Sequence, residues 1–340
     1  MIINTVSHNL YSFKQNKLQK PAGASLSKRN YDYSCADIKA GQYKAMVEMQ
    51  NKGEKFLKQS GRVTKEQYKA LGKDRETVLR RAKEEIEKNY DVCKYLKPET
   101  AAKFALVLKE YLDNKNPEGY KLVSIGTSPD MVANALNFLG CDVTFVPVSS
   151  LKNIPSKNCP NGVVKNIEDY PNLEKVMKYL EYKEISGDNA ANDVRKIIII
   201  DIAHKGGTLK RFQNLLTEYG NINTEKIEQF DFMKALRELE NAGNNGLFDK
   251  YNLKYKDIVD YNMGETEGFI GRLSNTPHFD VIDDNINNKE GYIKSSNKTD
   301  EELFEAFENY STPLGRAHNL VVMDELEKLQ QKRELQNKVF

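Results

Sequence analysis

Lys196 to Phe212 reads KIIIIDIAHKGGTLKRF. The run Ile197 to Ile200 is β-branched and unbroken. It lacks the alternation of a half-buried strand, so it predicts a strand covered on both faces, as inside a parallel sheet flanked by helices. Asp201 closes the strand. Ala203 to Gly207 then reads as a short loop whose two glycines let backbone N–H groups approach an anion, and Thr208 is a good N-cap for the helix that follows. A helix start adds the positive end of its dipole, so strand, acid, glycine loop and helix predict a phosphate cradle with one carboxylate beside it.

A second unit of the same kind runs from Lys121 to Val148, KLVSIGTSPDMVANALNFLGCDVTFVPV. Leu122 to Ile125 reads as a strand, Gly126 to Ser128 as a tight loop, Pro129 to Leu139 as a helix stopped by Gly140, and Asp142 to Val148 as the next strand. Ser128, Pro129 and Asp130 form a helix opening, because Ser caps, Pro has a preset φ and Asp suits the dipole. Both glycine loops are therefore expected at the carboxyl ends of parallel strands, on one edge of one sheet.

A hydrophobic strand with an acidic end and a loop closing in Gly-Gly-Thr resembles the phosphoribosyl-pyrophosphate (PRPP) signature of type I phosphoribosyltransferases. Two adjacent acids in that family hold the ribose hydroxyls, and Asp201 matches the second of them; Ile200 stands where the first belongs. The resemblance assigns the loop residues His204, Lys205, Gly206, Gly207 and Thr208 to the 5′-phosphate, although Lys205 replaces the family's usual Thr or Ser. It assigns Thr127 and Ser128 to the pyrophosphate, while the residues alone fit equally a Ser128 that only caps its helix. An ordinary strand-turn-helix with a Gly-Gly loop also fits Lys196 to Phe212. The resemblance implies a glycosyltransferase of the pentosyltransferase type that takes PRPP or a nucleoside monophosphate. Mg²⁺ would be carried with PRPP, and ribosyl 5-phosphate would pass to a base or similar nucleophile. Departure of pyrophosphate leaves an oxocarbenium-like ribose, so such an enzyme needs held phosphates and an oriented sugar more than a strong nucleophile. Loss of the first acid removes a charged contact worth roughly 1.5 to 3 kcal/mol. A catalytically lapsed binding or regulatory protein is therefore the alternative.

A hydrolase reading competes. Gly126-Thr-Ser-Pro-Asp130 approaches the nucleophile elbow, and the order Ser128, Asp201, His278 matches the α/β-hydrolase triad. Pro129 counts against it, since the residue after the nucleophile donates its N–H to the oxyanion and proline has none.

The chain has 340 residues, 39% hydrophobic and 29% charged, outside the range of disorder. Its 51 Lys+Arg and 49 Asp+Glu give +2, so no net field favours nucleic acid or an anionic membrane. Cys35, Cys93, Cys141 and Cys159 form no CxxC pair, which argues against zinc and a disulfide framework and for a reducing, cytoplasmic setting. No apolar run approaches the roughly 20 residues of a membrane span. An oligomer is left open.

The fold class expected is α/β, a parallel sheet flanked by helices (phosphoribosyltransferase-like), with helical N-terminal and mixed C-terminal additions. Residues 1–41 are expected as a mobile leader, 42–97 as a helical region, 98–240 as the α/β domain and 241–340 as a mixed region. Thr64 with Gln67 reads as a capping box, and Pro98 as a helix start. Ser149 to Asp188 is a polar excursion holding a helix from Asn172 to Tyr182, in the place where the resembled family has a flexible loop. Lys226 to Phe232 reads as a strand and Asn241 to Gly246 as a loop. Gly271 to His278 and Ser311 to His318 read as polar loops, from which Arg272 and His278 could reach a substrate. Asp324 to Lys338 reads as an exposed charged helix.

Overall fold

The computed structural model describes residues 47–48, 51–59, 61–89, 97–126, 129–201, 207–232, 245–254, 256–257, 278–288, 292–295, 297–309 and 311–339. The chain divides into two units, Met1–Asn51 and Lys52–Phe340, and the sheet with its helices belongs to the second. The leader expected over 1–41 lies outside the described residues.

Thr64 makes the expected capping box. Its hydroxyl accepts from the Gln67 N–H at 3.1 Å, and the Gln67 side chain accepts from the Thr64 N–H at 3.3 Å, opening α1 (Lys65–Ala70). Helical periodicity continues past this point, but Gly72 turns the chain with φ +48 before α2 (Arg75–Lys88) resumes it and buries Val78, Leu79 and Ala82. Then follow α3 (Pro98–Lys115), β1 (Tyr120–Ile125), α4 (Asp130–Phe138) and β2 (Val143–Val146). Pro147 has no N–H for a ladder and separates β2 from β3 (Val148–Ser149), where the sequence suggested one strand. Next come α5 (Pro171–Tyr182), α6 (Gly187–Asn192), β4 (Lys196–Asp201), α7 (Gly207–Glu218) and β5 (Ile227–Asp231). The chain ends with α8 (Asn245–Lys250), β6 (Phe279–Asp280), α9 (Asp300–Asn309) and α10 (Pro313–Val339). The loop expected over Asn241 to Gly246 thus gives way to α8 at Asn245.

The protein is α/β. Four parallel strands lie in the order β2-β1-β4-β5, and β3 pairs with β6 in a second, two-stranded parallel sheet. Successive side chains of a strand point to opposite faces. Leu122, Phe145, Ile198, Ile200 and Phe230 accordingly pack on one side with α2, α3, α4 and α10. Val123, Ile125, Val146, Ile197 and Ile199 pack on the other with α5, α7 and α9. The unbroken Ile run of β4 is therefore explained by helices on both faces.

Two expectations are corrected. The excursion after Ser149 is a string of 3-10 turns with Leu151, Ile154, Val164 and Ile167 in the core. Helix α7 and the residue after it hold it down: Arg211 donates to Leu151 O at 2.7 Å, Asn214 to Gly162 O at 2.9 Å and Tyr219 to Val164 O at 2.6 Å. The final helix starts at Pro313, not Asp324, and its first half is core, with Leu320, Val322, Met323 and Leu326 almost wholly buried. Of the stretch Ser311 to His318, expected as a loop, Pro313 to His318 already belong to that helix. Among the described residues no helix is long and apolar enough to cross a membrane. Cys141 and Cys159 are buried free thiols.

Candidate functional site

The strand order reverses between β1 and β4. Chain order runs from β1 outward to β2, then back across to β4 and on to β5, so the carboxyl ends of β1 and β4 flank the switch point where open α/β sheets leave a crevice. Ser124 pairs in register with Ile200, which sets Ile125 and Gly126 beside Asp201. Gly126 has φ +72, a conformation L side chains rarely adopt, and its N–H donates to Val146 O at 2.8 Å as the chain leaves the sheet. Both glycine loops thus leave neighbouring strands at one edge.

Asp201 is half-buried at the end of β4, and its register partner on β5 is Asp231. Neighbouring strands lie about 4.8 Å apart, so two carboxylates stand side by side at this edge. By alternation they share the face of Ile197 and Ile199, the side on which α7 packs. That helix begins at Gly207, which is exposed, and no acid stands in its first turn. Gly207 does not hold a positive φ, and a Cβ there would meet nothing within 4 Å. A helix start of this kind presents its first N–H groups and the positive end of the dipole to an anion.

The start of α4 is built differently. Asp130 is 4% exposed and takes an ion pair from Arg62, Nη2 to Oδ1 at 2.8 Å. The helix dipole at this end is therefore met by a carboxylate of the chain, and that carboxylate by a buried guanidinium.

Comparison with protein-family models, curated proteins and solved structures returned no match.

Of the expected site residues, Asp201, Gly207 and Thr208 lie together at the carboxyl edge, between β4 and α7. Thr127, Ser128, His204, Lys205 and Gly206 lie outside the described residues, as does Arg272. Ile200 is 0% exposed and packs with the Phe230 and Phe232 cluster. Asp231, the register partner of Asp201, was not singled out in the sequence. Its strand was legible, but the register that sets it against Asp201 is a property of strand pairing alone.

His278 precedes β6. The Val146 carbonyl accepts from Gly126, and the next carbonyl, of Pro147, accepts from the Phe279 N–H at 2.6 Å. Successive carbonyls of an extended chain point to opposite sides, so β6 lies beyond β2 and away from β1. Asp201 ends β4 of the four-stranded sheet, whereas His278 adjoins β6 of the separate two-stranded one. Burial lowers the His278 pKa, against the opposing pull of Asp280. Its ring packs against Tyr292, centroids 5.8 Å apart. Ser128, the nucleophile of the hydrolase reading, lies outside the described residues.

Proposed function

We propose that the protein binds PRPP or a nucleoside monophosphate at the β1/β4 switch point, as a cytoplasmic phosphoribosyltransferase-like enzyme that transfers ribosyl 5-phosphate to a base or similar nucleophile. The observation that carries the reading is the convergence of Gly126, Asp201 and the start of α7 on one edge, where the strand order reverses. In this reading the start of α7 takes the 5′-phosphate through its first N–H groups and dipole. Asp201 accepts from the ribose hydroxyls, and Asp231 supplies the second carboxylate that position 200 lacks. Mg²⁺ carried with PRPP keeps mostly phosphate and water oxygens, with the two carboxylates within its chemistry. Orienting the sugar and holding both phosphates while pyrophosphate departs is the catalytic contribution.

One observation favours a second reading. Ile200 is packed in the core, so the family's charged diol contact at that position is replaced by an apolar one, which suits a protein that binds the ligand and no longer turns it over. Calorimetric titration with Mg²⁺-PRPP and with nucleoside monophosphates, followed by an assay of pyrophosphate release with a panel of bases, separates the readings. Binding with turnover is expected of the enzyme and binding alone of the lapsed form. Absence of both refutes the crevice assignment.

A further inference from the structure

Beyond the carboxyl end of β2, the short strands β3 and β6 hold each other through the pairs Val148–Phe279 and Ser149–Asp280. A sheet this small does not stand by itself, so β6 depends on what its residues meet. Phe279 packs on Phe307 of α9, ring centroids 5.0 Å apart, and Asn172 of α5 donates to Asp280 O at 3.0 Å. The Asn287 side chain accepts from the Asp280 N–H at 2.8 Å. His278 leads into this strand. It forms a bridge with Tyr292, and its carbonyl accepts from the Ile293 N–H at 2.8 Å. The residue is partly exposed, but its Nδ1 is buried and has no hydrogen-bond partner.

A neutral ring tolerates that position better than a charged one. With the proton on Nε2, only a lone pair stands at Nδ1; protonation would add an N–H without an acceptor, and a charge with it. The nearest counter-ion is Asp280, two residues along and on the same face of the strand. Its oxygens are already engaged. Oδ1 accepts from the Ile282 and Asp283 N–H groups at 2.9 Å each, and Oδ2 accepts from the hydroxyls of Ser149 and Ser150. Val148 and Ser149 of β3, Phe307 of α9, Asn172 of α5 and Asn287 bring no charged group, and Tyr292 brings its ring, centroid 5.8 Å from the imidazole. Burial accordingly lowers the His278 pKa from its ordinary 6.5, with Asp280 pulling the other way.

We infer that His278 is a proton-sensitive latch of the carboxyl edge, which lets β6 pair with β3 while the ring is neutral and favours release of β6 once it is protonated. Val148 O is the atom that a Cβ on Gly126 would meet, at 3.6 Å, so the latch adjoins the place where the chain leaves β1. The released strand takes up the proton more readily than the paired one. Pairing is therefore at full strength above about pH 6.5 and weakens as pH falls below it, by at most about tenfold per pH unit.

Amide hydrogen exchange of the full chain, read by mass spectrometry between about pH 5 and 8 and corrected for the intrinsic rate, tests the latch. Peptides spanning 147–150 and 278–281 are expected to lose protection several-fold from about pH 7.5 to 5.5, while peptides of β4 keep theirs. His278→Phe retains an aromatic ring against Tyr292 and cannot titrate, so its protection in those peptides is expected to stay flat. A parent without this pH dependence, a loss shared equally by β4, or a loss that persists in His278→Phe overturns the latch. Where His278→Phe does not fold, the NMR titration of the His278 imidazole in the parent decides: a midpoint below 6.5 is expected, and one at or above 6.5 overturns the proposal.

Discussion

Ile200 and Gly207 are the two single positions on which the ligand reading turns. Ile200 is fully buried among aromatic and aliphatic side chains on the α3 side of the sheet. Ile200→Asp would bury a carboxylate without a designed partner and is expected to destabilise the fold by about 3 kcal/mol or more, read as a fall in urea midpoint at unchanged slope. Mg²⁺-PRPP should not restore it. A variant of parental stability would show that the position opens to water. Gly207 is the reverse case. Its φ is not positive and a Cβ has room, so backbone conformation does not require glycine there. What remains is approach. Gly207→Val is expected to keep Tm within a few degrees while its isopropyl group fills the space before the N–H groups of α7, weakening PRPP at least about tenfold by calorimetry. Parental affinity would remove α7 from the site.

Among the elements, α10 departs furthest from what its composition suggests. Its second half is charged and exposed, which is what the sequence reading saw, while its first half is enclosed by α2, α3 and α4 and is apolar on several sides. A helix-opening signal was present: Thr312 and Pro313 repeat the cap-plus-proline logic of Ser128 and Pro129, and the Thr312 hydroxyl accepts from the Gly315 N–H at 3.2 Å. Arg316 hid the core character of the turn. Its guanidinium is wholly buried, donates to Phe56 O at 3.2 Å and to Gly61 O, and stacks over the Phe56 ring, so a residue that reads as solvated is a packed cross-link. Leu320→Ala is expected to cost about 2 to 5 kcal/mol in chemical denaturation, and Leu335→Ala, 65% exposed in the parent, to stay within about 0.5 kcal/mol. Equal costs would mean that the two halves of α10 are packed alike.

The molecule as a whole separates its two sheet edges by chemistry. The carboxyl edge carries Gly126, the start of α7 and the Asp201–Asp231 pair, whereas the amino edge is closed by a network of ion pairs. Arg195 grips Asp193 through Nε at 3.0 Å and Nη2 at 2.7 Å and reaches Asp142 at 3.0 Å, while Lys121 bridges to Asp193 at 3.5 Å and to Glu184 O at 2.9 Å. These residues lead into β2 and β4 and begin β1, so the network ties the three strands together. The hydrogen bonds from Arg195 hold the Asp193 carboxyl well below the usual carboxylate range. A carboxylate with a depressed folded pKa stabilises above its unfolded value, near about 3.9, and that contribution is lost as pH falls through the folded value. Asp193→Asn is therefore expected to be less stable than the parent at pH 7, with the gap closing below about pH 4 in parallel denaturation series. A gap that holds constant with pH would show that the carboxylate's charge contributes nothing.

What the sequence determined by itself is local. The β-branched run of β4, the caps at Thr64 and Pro98, and the acid and glycines after Ile200 follow from periodicity and turn chemistry, which act over a few residues. Strand type and the shared edge of the two glycine loops came from the same source. Only the tertiary structure decided the order β2-β1-β4-β5, the register that sets Asp231 beside Asp201, the burial of α10 and the reach of Arg62 to Asp130. Each of these joins segments far apart in the chain. Closing a long loop costs nearly the same for many alternative pairings, so no local pattern distinguishes them, and the choice falls to how the whole set of apolar faces is buried at once.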